Sequence, residues 1–163
     1  MKKLLLPVLV LICLLQTTPA LAFNDVPEDH WARTTIERLY RREKISGYPG
    51  DLFRPGTVLT RAEAAVLLVQ AAGLQGEVSS LAGSSPTFRD VKNGHWASPY
   101  ITLAWEKGYI GGYPDGTFRP AGAVNRMEMA SMLLRALELP ALPEPAAAFR
   151  DEASTPEWAR STI

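Results

Sequence analysis

The strongest constraint on this chain is that it writes one passage of 52 residues twice. Residues 23–74 align with 88–139 without a gap, at a constant offset of 65, and 20 of the 52 pairs are identical. The identities cluster: Phe23/Phe88, Asp25/Asp90, Val26/Val91, the triplets His30-Trp31-Ala32 and His95-Trp96-Ala97, and the phrases GYPGDLFRP (47–55) and GYPDGTFRP (112–120). Self-similarity at a fixed period marks an array of supersecondary units, each too small to bury its own apolar face. A unit of about fifty residues buries too little surface to be stable by itself. The two copies are therefore expected to share a core, and residues 23–74 alone to be mostly unfolded.

The coarse pattern within each copy is helix, loop, helix. In the first copy Ile36, Leu39 and Tyr40 keep helical spacing, and in the second Ile101, Ala104 and Trp105 do so until Gly108. Ser98 with Pro99 reads as an N-cap followed by the first helical position. The later helix carries Ala65, Val66, Leu68 and Val69, and begins at Thr60-Arg61-Ala62-Glu63. Thr60 with Glu63 has capping-box spacing, and Asn125 with Glu128 is its variant. The fold class is all-α: tandem helix-loop-helix repeats packed around a shared helical core. Gly50-Asp51 and Asp115-Gly116 supply turns whose reversed order predicts that they do not superimpose in detail.

The rest of the chain divides around these copies. Residues 1–22 read as a secretory signal peptide, with Lys2-Lys3, an apolar run Leu4–Leu15 and the small-x-small site Ala20-Leu21-Ala22. The run is too short for a comfortable membrane span, and after its removal no membrane contact is expected. Its cleavage takes away Cys13, the one cysteine, so packing alone must stabilise the exported modules. Residues 75–87 read as a small polar linker, 140–148 as a Pro/Ala spacer, and 149–163 as the start of a truncated third repeat.

Charge excludes one class of partner. Without Lys2 and Lys3 the basic count falls from 17 to 15 against 17 acids, a net charge near −2. No basic patch offers itself to phosphates, so nucleic acid is not expected. No catalytic pair, Ser-His-Asp order, H-E-x-x-H or phosphate-cradling glycine loop appears, so the reading is non-enzymatic. His30 and His95, one per repeat, read as structural rather than as metal ligands, since a site needs several ligands to converge. No cofactor is expected.

These phrases resemble the S-layer homology (SLH) module. The motifs that carry the resemblance are F-x-D-V at 23–26 and 88–91, H-W-A, G-Y-P-x-x-x-F-R-P and T-R-A-E at 60–63, with Asn125-Arg126-Met127-Glu128 in its place in the second copy. The resemblance implies a helical module, usually in trios arranged pseudo-symmetrically around a central helix bundle. It implies secretion to the cell wall or S-layer and non-covalent binding of a secondary wall polysaccharide linked to peptidoglycan, often pyruvylated, in grooves between modules. It also makes the arginine of T-R-A-E a ligand contact.

Candidate glycan residues follow. Arg61 and Arg126 sit at helix N-termini, where a cation is unfavourable for the helix dipole but, with free N–H groups, makes an anion pocket. The competing reading pairs each with a loop acid such as Asp51 or Asp115. Trp31 and Trp96 offer faces to a sugar ring, although tryptophans at a helix entry are more often core. Tyr48 and Tyr113, beside Gly47 and Gly112, divide evenly between groove and packing. Glu63 and Glu128 are explained by capping, and Asp25 and Asp90 by bracing a turn. Two other classes stay open: a structural protein that binds protein partners, through self-association or further repeats, and the wall-targeting end of a secreted hydrolase.

Overall fold

The computed structural model describes residues 23–83, 88–139 and Pro156. The stretches read as a signal peptide (1–22), as a Pro/Ala spacer (140–148) and, apart from Pro156, as the start of a third repeat (149–163) lie outside the described residues. The described residues form five α-helices: α1 (Arg33–Arg41), α2 (Arg61–Ala71), α3 (Gln75–Val78), α4 (Ser98–Glu106) and α5 (Arg126–Ala136). Among the described residues there is no strand, only the isolated bridges Tyr48–Leu52 and Thr60–Ala123.

The helix starts show two chemistries. Helices α2 and α5 carry full capping boxes, Thr60 with Glu63 and Asn125 with Glu128. Helices α1 and α4 have no side-chain N-cap; Ala32 and Ala97 occupy the cap position. Ser98 is instead the first helical residue, with Pro99 after it. The cap's work passes to histidine: Nδ1 of His30 accepts from the Ala32 amide and Nδ1 of His95 from the Ala97 amide, both at 3.2 Å. Each imidazole also stacks on the following tryptophan, with ring centroids 5.8 Å apart. The histidines are thus structural.

Packing crosses the repeat boundary. One core cluster holds Ala62, Ala64, Ala65, Leu68 and Val69 of α2 with Ala97, Ile101, Leu103 and Ala104 around α4, then Phe88, Val91, Ile110, Phe118 and Met132. The alanines let α2 and α4 approach closely, which is why a helix of the first repeat is buried in the second. The first repeat keeps only a satellite cluster, Phe23, Val26 and Ile36. The polar stretch after α2 is more ordered than a linker: α3 and a 3-10 turn at Ser79–Leu81 pack on α4, Val78 is buried, and Lys107 pairs with Glu77 at 3.0 Å.

The loops between the paired helices are two castings of one design. In each, both carboxylate oxygens of an aspartate accept from successive amides: Asp25 from Phe53 and Arg54 at 2.7 and 2.6 Å, and Asp90 from Phe118 and Arg119 at 2.8 and 2.7 Å. Those bonds hold the Asp25 carboxyl below its usual range, chiefly through the Phe53 amide. The braced arginines take positive φ, 59° at Arg54 and 58° at Arg119. A Cβ on Gly47 would lie 2.2 Å from the Phe23 ring, and one on Gly112 2.3 Å from the Phe88 ring. Both glycines are required by packing against the ring that opens each repeat, so neither needs a ligand to explain it.

Because α2 finds most of its core in the second repeat, a peptide of residues 23–74 is expected to show weak helicity and no cooperative thermal transition by circular dichroism. A sigmoidal melt of that peptide would contradict this account of the packing.

Candidate functional site

Arg61 is 4 % exposed, and its side chain ends in the second repeat. Nε donates to the Phe118 carbonyl at 2.7 Å, Nη2 to the Gly111 carbonyl at 2.9 Å, and Nη1 to Glu128 Oε1 at 3.0 Å. The guanidinium lies 4.7 Å from the Phe118 ring centroid and 4.8 Å from that of Tyr113. The N-terminus of α2 is spent as well. The Arg61 amide donates to Gly122 O at 2.8 Å, and that of Ala62 to Pro120 O at 2.9 Å. The expectation of an open anion pocket at Arg61 is therefore overturned. The competing expectation of a loop aspartate fails too, since the partner is Glu128. A helix start that lacks solvent must find acceptors in protein, and the loop of the neighbouring repeat provides them.

Arg126, the equivalent on α5, is exposed and has no hydrogen bond or ion pair among the described residues. The tryptophans also depart from expectation. Trp31 is 91 % exposed and Trp96 60 % exposed, so neither is core. Trp105 and Tyr40, placed on buried faces by spacing, are 45 % and 43 % exposed.

A groove of about 570 Å³ opens beside the first repeat. Its floor is Ile45, Phe53 and Leu59, its polar side is Tyr48, Arg54, Glu63 and Gln70, and Trp96 of the second repeat forms the facing wall. The structure thus brings Gly47, Tyr48 and Trp96 together, and leaves Trp31, Arg61, Arg126, Gly112 and Tyr113 outside this groove. Sequence reasoning missed Arg54, Glu63 and Gln70. The signal for Arg54 was present in the repeated F-R-P, whereas Glu63 was fully accounted for as a cap.

Glu63 does two jobs. Oε2 accepts from the Thr60 amide and hydroxyl, both at 2.8 Å, while Oε1 accepts from the Tyr48 hydroxyl. Burial alone would raise the carboxyl, but the bonds from Tyr48 and Thr60 outweigh it and leave it below its usual range. The same bond raises Tyr48 above its usual phenol value, helped by burial.

The reversed Gly-Asp order decides the charge of the two loops. In the second repeat Asp115 accepts from the Thr117 hydroxyl and amide at 2.5 and 3.0 Å and pairs with Arg119 at 3.1 Å. These bonds lower its carboxyl to about 2. In the first repeat Gly50 and Asp51 both take positive φ, 84° and 55°, and the turn closes between Tyr48 and Leu52. Arg54 then stacks on Tyr48 at 4.6 Å and forms no ion pair among the described residues, although the Asp25 and Glu63 carboxylates lie near enough to feel its charge. The turns are not superimposable, as the sequence suggested, and the outcome is one neutralised loop arginine and one open one.

A family profile described as S-layer homology domain matches residues 22–65 and 87–130. Among curated proteins, the chain is 34 % identical over 119 residues to a cellulosome-anchoring protein of Acetivibrio thermocellus, covering 73 % of this chain and 26 % of that protein. It is 37 % identical over 117 residues to S-layer protein sap of Bacillus anthracis, covering 72 % and 14 % respectively. It is 32 % identical over 149 residues to Exoglucanase XynX of Acetivibrio thermocellus, covering 88 % and 13 %. The chain spans about a quarter or less of the length of these relatives.

Two predictions follow from this geometry. Arg61→Ala leaves Glu128 without its cation in a half-buried site and is expected to cost about 3–5 kcal/mol in urea unfolding. In a Glu128→Gln background, which keeps the cap, the same change is expected to cost about 1–3 kcal/mol less; strict additivity would dissolve the pairing. The second concerns pH. A carboxyl depressed in the folded state adds stability above its unfolded value, 4.5 for Glu63, and that stability is lost as pH falls through the lower folded value. The stability of Glu63→Gln should therefore decline less steeply below pH 4.5 than that of the parent, and equal slopes would remove Glu63 from the acid transition.

Proposed function

The chain belongs to the S-layer homology family, and from that premise we propose that it anchors at the bacterial surface by binding an acidic wall polysaccharide in the groove of the first repeat. Modules of this family hold proteins on the cell wall without catalysis, and the place of such a chain is the cell surface. The observation that carries the glycan reading is the combination inside one groove of Arg54, which forms no ion pair among the described residues, with an exposed indole, Trp96, and hydrogen-bonding groups on Tyr48, Glu63 and Gln70. An arginine without an acid partner can bind a carboxylate bidentately. A sugar carrying a carboxylate, as a pyruvyl ketal does, meets that cation while its ring lies against the indole. Arg54 thus takes the ligand role that Arg61, consumed between the repeats, cannot fill.

Other repeats or an effector domain of a longer protein fit the same reading. The cellulosome-anchoring and exoglucanase relatives carry far more chain than the portion matched here. In such a protein the present modules serve as the wall-holding part.

The test is co-sedimentation of residues 23–163 with purified cell walls, before and after the walls are stripped of secondary polymer. Arg54→Ala is expected to weaken binding about 10- to 150-fold, the worth of one charge-assisted hydrogen bond, and Trp96→Ala to weaken it several-fold, whereas Trp31→Ala should not. Exchanging Gly50 and Asp51 to the order of the second repeat gives Arg54 an intramolecular acid and should weaken binding as Arg54→Ala does. Undiminished sedimentation of the folded Arg54→Ala protein, or of the parent with stripped walls, would defeat the proposal.

A further inference from the structure

The groove of the first repeat is the counterpart of the socket that receives Arg61 in the second, and, Arg54 of its own lining apart, no arginine among the described residues enters it. Subtracting 65 from each acceptor of Arg61 converts Gly111 O, Phe118 O and Glu128 into Ser46 O, Phe53 O and Glu63, and all three residues line the groove. The loop geometry behind those acceptors is duplicated. Tyr48 N donates to Leu52 O at 2.7 Å as Tyr113 N donates to Thr117 O at 2.8 Å. Thr57 N closes on Arg54 O at 3.0 Å as Gly122 N closes on Arg119 O at 2.9 Å. Tyrosine bonds glutamate in both. What differs is the cover. Phe118, under the Arg61 guanidinium, is completely buried and Ile110 is 3 % exposed, whereas Phe53 and Ile45 are only half-buried.

The complementary piece is present at the other end of the molecule. Helix α5 begins with the same capping box as α2, and Arg126 stands where Arg61 stands. It is exposed, and neither its guanidinium nor the amides of Arg126 and Met127 have partners among the described residues. The two-repeat unit therefore displays a cationic helix start on one side and, on another, a carboxylate flanked by two carbonyls. These match in charge and in kind of acceptor.

We propose that the Arg126 helix start of one copy docks in the first-repeat socket of a second copy, on Glu63 and the carbonyls of Ser46 and Phe53, so that chains associate head to tail. Such a contact is heterologous, joining two different surfaces, and it repeats from copy to copy rather than closing on itself by a two-fold axis. Docking and glycan occupy the same groove, so only the copy at the free end of an assembly keeps its groove open. The proposal does not depend on the glycan reading.

Sedimentation velocity of residues 23–163 over a range of concentrations tests it. The parent is expected to show a weight-average mass that rises with concentration. Arg126→Glu, at an exposed position, and Glu63→Gln, which preserves the cap, are each expected to raise the dissociation constant at least about tenfold, a change of about 1.4 kcal/mol. Mixing is decisive. Arg126→Glu has an intact Tyr48–Glu63 socket and Glu63→Gln an intact arginine, so the mixture should form a one-to-one dimer that does not grow. A parent that stays monomeric at high micromolar concentration overturns the proposal, as does association that survives Arg126→Glu or a mixture no heavier than its parts. Loss of wall binding by Arg54→Ala with self-association retained would separate this contact from glycan recognition.

Discussion

A single guanidinium holds the two repeats in register. Arg61 spans 67 residues of sequence to reach Glu128 and, on the way, takes up the carbonyls of Gly111 and Phe118. Its cost in desolvation is offset because each of its three nitrogens donates a hydrogen bond and two aromatic rings lie against its face. Around it the rest falls into place: α2 is brought to α4, Phe118 is sealed, and the amides at the start of α2 find carbonyls instead of water. The interaction that looked like a ligand contact is the one that makes a two-repeat unit out of two halves.

The same residue in the same motif then has opposite fates in the two copies. Arg61 is buried and satisfied; Arg126 is exposed. The capping box and the length do not explain the difference, since the two helices share both. It arises from position in the array, because α2 has a neighbour to enter and α5 lacks one among the described residues. Likewise Arg54 and Arg119 have one backbone conformation and different electrostatics, decided by whether aspartate falls at position 115 or at position 51. In a repeat protein, chemistry is assigned by place in the series and by single exchanges in the loops.

Much of this was readable in the sequence. The gapless offset gave the two units and their helices, the capping boxes were visible as spaced pairs, and the aspartate braces followed from the tendency of that side chain to bond nearby amides. What the sequence could not reveal was which neighbour each conserved-looking group faces. Arg61 has an acid at hand in its own loop and another in the next repeat, and one-dimensional spacing does not choose between them. The tryptophans stack on the histidines that start the helices, so their rings turn outward, although their chemistry alone would favour burial. The helix also begins one residue before the position that Ser98 suggested, with Ala97 at the cap and its amide bonded to His95 Nδ1. For Arg61 a contact across the chain decided the outcome, and for the tryptophans a contact with the preceding side chain did.

The sharing of the core also governs how the chain can come into being. Helix α2 is synthesised early, yet the surfaces that bury it, around α4 and the loop ending at Val124, emerge more than thirty residues later. Until then the first repeat has only its satellite cluster of Phe23, Val26 and Ile36 to hold it. The leading half stays loosely held, and the structure locks only once the second half has been made.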